Sequence, residues 1–116
     1  MFLHGTSRRN ESGHLEIGGV DVLSLAERYG TPLYVYDVAL IRERARKFQK
    51  AFREAGLKAQ VAYASKAFSA VAMIQLAEQE GLSLDVVSGG ELFTAIKAGF
   101  PLNGFIFTET IRALKN

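Results

Sequence analysis

Between Asp21 and Gly99 the chain repeatedly closes an apolar or amphipathic run on a glycine, at Gly30, Gly56, Gly81 and Gly99. The runs alternate in kind, compact and β-rich in some places and apolar at helical spacing in others. This alternation constrains the fold more than any other feature. Strands joined to helices through short loops build right-handed βαβ units and a parallel sheet. The fold class expected is α/β.

In chain order, residues 1–13 are polar and read as an irregular arm, and Leu15 to Ile17 alternates like a short edge strand before Gly18-Gly19. Asp21 can cap a helix in which Val22, Leu25, Ala26 and Tyr29 share a face, with Gly30 and Pro32 ending it. Leu33 to Tyr36 reads as a strand. Asp37 then caps a helix from Val38 to about Ala55, where Ile41, Ala45, Phe48, Ala51 and Phe52 recur at helical spacing. Next come a strand over Ala59 to Tyr63 and a helix over Ala67 to Gln79, with Val71, Ile74 and Leu76 apolar. A strand over Leu82 to Val87, the turn Ser88-Gly89-Gly90 and a helix from Glu91 through Lys97 complete the pattern. Three strands with their helices cannot close a barrel of eight units and roughly 250 residues. Either a small open sheet or the opening portion of something larger is implied.

Composition narrows the function. The chain has 116 residues, 48% of them hydrophobic and 22% charged, sized for one domain with a packed core. Its 14 Lys/Arg and 12 Asp/Glu leave a net charge of +2. Its densest basic run, Arg42 to Lys50, alternates with Glu43 and reads as a solvated helix face, so no nucleic-acid partner is expected. The absence of cysteine excludes disulfides, thiol catalysis and thiolate metal sites, and no metal site is expected. Residues 1–10 do not read as a signal peptide and no apolar run reaches membrane length, so no membrane partner and a cytoplasmic location are expected.

Lys66 is the residue with chemistry to explain. It follows a strand in Val61-Ala62-Tyr63-Ala64-Ser65-Lys66-Ala67-Phe68, where parallel α/β folds usually put their active groups. An ammonium ordinarily titrates near 10.4, and an apolar pocket frees the amine to attack an aldehyde. Ala64, Ala67 and Phe68 suit such a pocket. The alternative, a strand-end lysine that simply reaches solvent, stays open on spacing alone. Asp85 can be a turn or cap carboxylate, and Ser88 with Glu91 three residues on can be a capping box. Tyr36 and Tyr63 read as packed aromatics with satisfied hydroxyls. His4 and His14 match no motif, and Ser88-Gly89-Gly90-Glu91 lacks the spacing of a phosphate loop or dinucleotide fingerprint.

The segment from Val61 to Ser69 resembles the diaminopimelate decarboxylase family, as does Leu82-Ser-Leu-Asp-Val-Val-Ser-Gly-Gly-Glu-Leu92. These are pyridoxal-phosphate enzymes with an alanine-racemase-like barrel. Gly30-Thr-Pro-Leu-Tyr-Val-Tyr-Asp37 is similar to the family's first barrel strand. The resemblance implies the opening portion of a (β/α)8 TIM barrel: an arm over 1–20, the first βα units over 21–101, and a tail over 102–116. It implies decarboxylation of meso-diaminopimelate to lysine, with a small-molecule amino-acid substrate and a homodimeric full-length form. Lys66 matches the lysine that forms the Schiff base with pyridoxal phosphate. Asp85 matches an acid lining the cofactor, and Ser88 and Glu91 match with weaker functional claims. The alternatives are a related ornithine or arginine decarboxylase, or a non-catalytic pyridoxal-phosphate-binding protein of the same fold.

After Pro101 the wording departs from the family. Codons compatible with Leu102 to Ala113, regrouped so that the last base of each joins the first two of the next, read Glu-Arg-Ile-His-Phe-His-Gly-Asn-Asn-Lys-Ser. That is the segment the family carries there. A frameshifted tail over 102–116 is therefore expected, with a truncated chain that neither folds stably nor decarboxylates alone.

Overall fold

The structure, a computed structural model, describes residues 3–107. The chain divides into two units, one running through Arg44 and the other from Ala45.

In the first unit β1 (Arg8–Arg9), β2 (Leu15–Ile17) and β3 (Val20–Asp21) form an antiparallel sheet in that order, with Arg8 opposite Glu16 and Ile17 opposite Val20. The arm is therefore not irregular throughout, and Leu15–Ile17 is the central strand rather than an edge. Local turn chemistry explains both differences. The Asn10 side chain accepts from His14 N at 2.9 Å, and Gly13 at φ 78° closes the first turn. Gly18 and Gly19 at φ 59° and 81° make the second, in a left-handed geometry that glycine tolerates best. Arg8 Nε donates to the buried Glu16 carboxylate at 2.7 Å across the β1–β2 pair.

Helix α1 (Val22–Tyr29) starts where expected: Asp21 Oδ1 accepts from Leu23 N at 2.8 Å, and Gly30 at φ 79° ends it. Leu33 to Tyr36, however, is not a strand, and Tyr34 is 90% exposed. A β-rich run becomes a strand only where a neighbour completes its ladder, and among the described residues none pairs with it. Helix α2 (Val38–Glu54) begins at the expected cap, with Asp37 Oδ1 accepting from Leu40 N at 3.1 Å. Thr6 Oγ1 donates to Asp37 Oδ2 and accepts from Gly18 N, fastening the arm to that cap. Of the apolar stripe expected on α2, Ala45 is buried while Phe48 and Phe52 stay exposed.

The second unit is the βα part. β4 (Ala62–Ala64), β5 (Ser83–Val86) and β6 (Phe105–Phe107) make a parallel sheet in that order, with Ala64 opposite Asp85 and Asp85 opposite Ile106. α3 (Val71–Gln79) and α4 (Gly89–Lys97) supply the crossovers. The core is Ile74 and Ala77 of α3, Leu84 and Val86 of β5, Ala95 of α4, and Ala98 and Phe100. β5 is buried almost along its length, as a central parallel strand is.

Three boundaries differ from expectation. β4 sits one to three residues later than the run from Ala59. A 3-10 turn over Ser65–Ala67 delays α3 to Val71, because Phe68 is extended and α3 takes Ala70 as its cap. α4 starts two residues early because Ser88, not the turn after it, is the cap. The segment 102–107 contributes a 3-10 turn, Leu102–Gly104, and then β6; residues 108–116 of the expected tail lie outside the described residues. The C-terminal half of α2 is tied to the end of α3 through Glu80. Arg46 Nε and Nη2 reach the Glu80 carboxylate at 2.8 and 3.0 Å, and Gln49 Nε2 donates to its carbonyl at 2.8 Å. Among the described residues no helix is long and apolar enough to cross a membrane, and no group of three His, Asp or Glu could hold a metal ion.

Candidate active site at the carboxyl end of the parallel sheet

Adjacent parallel strands present their carboxyl ends side by side, and the turns leaving β4 and β5 carry the residues singled out in the sequence. β4 ends at Ala64 beside Asp85. The chain then turns through Ser65–Ala67, which presents Lys66. Tyr63 Oη donates to the Phe68 carbonyl at 2.8 Å and so bridges the turn from one side to the other. Tyr63 thus has the satisfied hydroxyl expected of it. Tyr36 is half exposed, so it is not the packed aromatic expected.

Ser65 fastens the turn from below. Its side chain is fully buried, with Oγ 2.8 Å from the Asp85 carbonyl and 2.6 Å from Glu91 Oε1. Ser88 is the N-cap of α4, accepting from Glu91 N at 3.2 Å and donating to Glu91 Oε2 at 2.8 Å. The structural reading of this pair as a helix start is therefore correct, with one departure from a capping box. Glu91 turns to Val87 N, 3.4 Å from Oε1, and to Ser65 instead of bonding the amide of its own cap. It joins the start of α4 to the lysine turn. Burial pushes the Glu91 carboxyl up, but the bonds from Ser65, Ser88 and Val87 outweigh it, helped by the nearby Lys66 charge, and the group lies below the usual glutamate range.

Lys66 is exposed, and Ala67 beside it is exposed too, so the dry apolar pocket expected around the amine is not built by the described residues. The reason is position: the lysine leaves the sheet at its carboxyl edge, beyond the core formed by β5, α3 and α4. Asp85 bears the opposite signature. Its Oδ1 is buried with no hydrogen-bond partner among the described residues, and Ser69 Oγ shares that condition. Buried polar atoms are nearly always satisfied, so this orphaned carboxylate oxygen, on the strand next to the one that leads into the lysine turn, is a candidate ligand acceptor.

These features test the fit of pyridoxal phosphate. A primary amine at the strand end and an unsatisfied carboxylate oxygen on the neighbouring strand suit its aldehyde-bearing ring. At the amino end of α4, a natural anion site, the Glu91 carboxylate already lies close by, bonded to Ser88 Oγ and Val87 N, and its charge disfavours a phosphate there. The residues present thus fit the covalent end of the cofactor.

Three contacts gave no sequence signal. Ser65 and Glu91 are 26 positions apart, and serine before the lysine reads as an ordinary turn residue. In the first unit, His14 Nδ1 and Asn10 Nδ2 lie 2.8 and 2.9 Å from Asp21 Oδ2. Bonds from Asn10, His14 and Leu23 N hold Asp21 below the usual carboxylate range. This cluster locks a hairpin to a helix cap, a structural use for a histidine that matched no motif.

The family model described as pyridoxal-dependent decarboxylase, pyridoxal binding domain, matches residues 38–116. The chain belongs to this family. It is 83% identical over 101 residues to the diaminopimelate decarboxylase of Bacillus subtilis (strain 168), covering 87% of this chain and 23% of that protein. It is 74% identical over 107 residues to that of Bacillus methanolicus, covering 92% and 25%. Among solved structures, an Aquifex aeolicus protein superposes with a TM-score of 0.79 at 38% identity, over 88% of this chain and 24% of that one. The diaminopimelate decarboxylase of M. jannaschii gives 0.74 at 36%, over 89% and 24%, and has also been solved with L-lysine. The chain spans about a quarter of the length of these relatives. The expected fold class holds: these α/β units are the opening portion of an alanine-racemase-like barrel.

Proposed function

We propose that the chain carries the cofactor lysine of a diaminopimelate decarboxylase, a carboxy-lyase that converts meso-diaminopimelate to lysine. The observation that carries the reading is the buried, unsatisfied carboxylate oxygen of Asp85, which stands on β5 opposite Ala64, the last residue of β4 before the turn that carries Lys66. The relatives named for this reaction support it over an ornithine or arginine decarboxylase and over a non-catalytic carrier.

Bound here, pyridoxal phosphate would supply a ring that takes up the electron pair released when a substrate carboxylate leaves as CO2. The chain's own residues do the rest of what this site can do. Lys66 would hold the group through its side-chain amine, which must be without its extra proton to bond a carbonyl carbon. Asp85 Oδ1, buried and without a partner among the described residues, would be available to accept a hydrogen bond from that group. Tyr63 and Ser65 hold the turn so that the amine returns to one place. Glu91, through Ser65 and Ser88, keeps a fixed negative charge near that amine.

The assembled protein acts in the cytoplasm as a homodimer on a small amino acid. Its arm spans 1–20, its first barrel units 21–101, and residues 102–116 arise from a one-base shift of the reading frame. The in-register family segment recovered by regrouping the codons of Leu102 to Ala113 supports this. Sequencing the gene across the Pro101 codon tests the tail: an open frame with no family segment in the alternative reading contradicts it. CO2 release with pyridoxal phosphate from meso-diaminopimelate, ornithine and arginine in parallel, using the product of the restored frame, tests the activity. Release from diaminopimelate alone is expected; preference for either other substrate overturns the assignment.

A further inference from the structure

The Ser65 hydroxyl has one proton and faces two acceptors, the Asp85 carbonyl at 2.8 Å and Glu91 Oε1 at 2.6 Å. The Asp85 carbonyl belongs to a strand bonded on both sides. Among the described residues Glu91 Oε1 has one other donor, Val87 N at the long distance of 3.4 Å. The proton of Ser88 is committed to Glu91 Oε2, since Ser88 Oγ already accepts from Glu91 N. Ser65 is therefore the main donor to Oε1. Its position is fixed, because the side chain is fully buried. The residue after it is Lys66, exposed, cationic and a charged donor able to bind the same oxygen.

We propose that Ser65 is a positioning residue for Lys66: by occupying Glu91 Oε1 it keeps the carboxylate from clamping the lysine as an ion pair, and so leaves the amine available to react. The proposal rests on Lys66 being the reactive amine, as in the function above. Among the described residues the charge that acts on Glu91 is that of Lys66 on the turn after β4; the direct contacts of its carboxylate come from the neutral Ser65, Ser88 and Val87 N. Removing the Ser65 hydroxyl leaves Oε1 short of a donor, and Lys66 replaces it. Removing the Glu91 charge has the opposite effect on the amine. A role confined to stability would not produce effects of opposite sign at one lysine.

The experiment is competitive acetylation of the product of the restored frame, freed of pyridoxal phosphate, with the rate at Lys66 read by peptide mass spectrometry across pH and Lys97 as the internal reference. It needs no pyridoxal phosphate. Ser65→Ala is expected to slow labelling of Lys66 and Glu91→Gln to speed it, each about two- to fivefold, the range for an exposed ion pair. Ser65→Thr, which keeps the hydroxyl, is expected to match wild type, and the double variant Ser65→Ala/Glu91→Gln to behave as Glu91→Gln alone. Effects of the same sign, or none in a folded Ser65→Ala chain, overturn the proposal. Should Ser65→Ala fail to fold by circular dichroism, Ser65→Cys replaces it, because a thiol is a weak donor. Slowed labelling is then expected, and the wild-type rate overturns the proposal. If these rates behave as expected while pyridoxal phosphate does not attach to Lys66, the positioning role stands and the cofactor assignment falls.

Discussion

Tyr63 Oη reaches across the lysine turn to the carbonyl of Phe68, 2.8 Å away, so the residue before the turn and the residue after it are joined by a bond that bypasses Lys66. The turn is a short 3-10 segment without a side-chain cap at its start, and it relies on such tertiary bonds. Tyr63→Phe is expected to lower stability by about 0.5–1.5 kcal/mol, the net value of one such hydrogen bond. The check is thermal unfolding followed by circular dichroism, and an unchanged midpoint contradicts this role for Tyr63.

The central strand is the mechanical support of the site. Leu84 precedes Asp85 on β5 and is fully buried in the cluster formed with Ile74, Ala95 and Phe100. Leu84→Ala removes buried methyl groups and leaves a cavity, at an expected cost of about 2–5 kcal/mol. That is a large fraction of the roughly 5–15 kcal/mol that holds a domain folded. Urea unfolding of the variant is expected to show a lower midpoint with an unchanged slope; a loss below about 1 kcal/mol would mean that β5 is not in the core.

Acid should loosen the second unit. Glu91 lies below its usual range when folded: burial raises it, and the donors Ser65, Ser88 and Val87 lower it by more. A carboxyl depressed by folding adds stability that is fully present above its unfolded value, near 4.5, and is lost as pH falls through the folded value. Asp37 acts in the same direction in the first unit, held down first by Thr6 and then by Leu40 N. Glu91→Gln is therefore expected to make acid unfolding of the sheet less steep below the glutamate range. Coincident acid transitions for the variant and wild type would contradict the assignment.

Local signals were legible in the sequence. Asp21, Asp37 and Ser88 cap the helices they precede, and Gly30 ends α1. The βα order with its buried central strand followed from periodicity, because burial on both faces leaves a continuous apolar run. What failed depended on partners distant in sequence. Leu33 to Tyr36 has strand composition and makes no ladder, while Arg8–Arg9 lacks it and pairs with β2. Lys66 and Asp85 stood out through motif wording, yet the exposure of one and the orphaned oxygen of the other are properties of the folded chain. Ser65 was invisible for the same reason, since its meaning lies in a contact with Glu91 that only the parallel register creates.

The central claim is that Lys66 is the residue that bonds pyridoxal phosphate. The most direct measurement is to incubate the product of the restored frame with pyridoxal phosphate, fix the product with borohydride and map the modified lysine by peptide mass spectrometry. The account predicts modification at Lys66 ahead of Lys47, Lys50, Lys58 and Lys97, weakened in Asp85→Asn and absent in Lys66→Ala. Modification spread evenly over the lysines, or undiminished in Lys66→Ala, would contradict it.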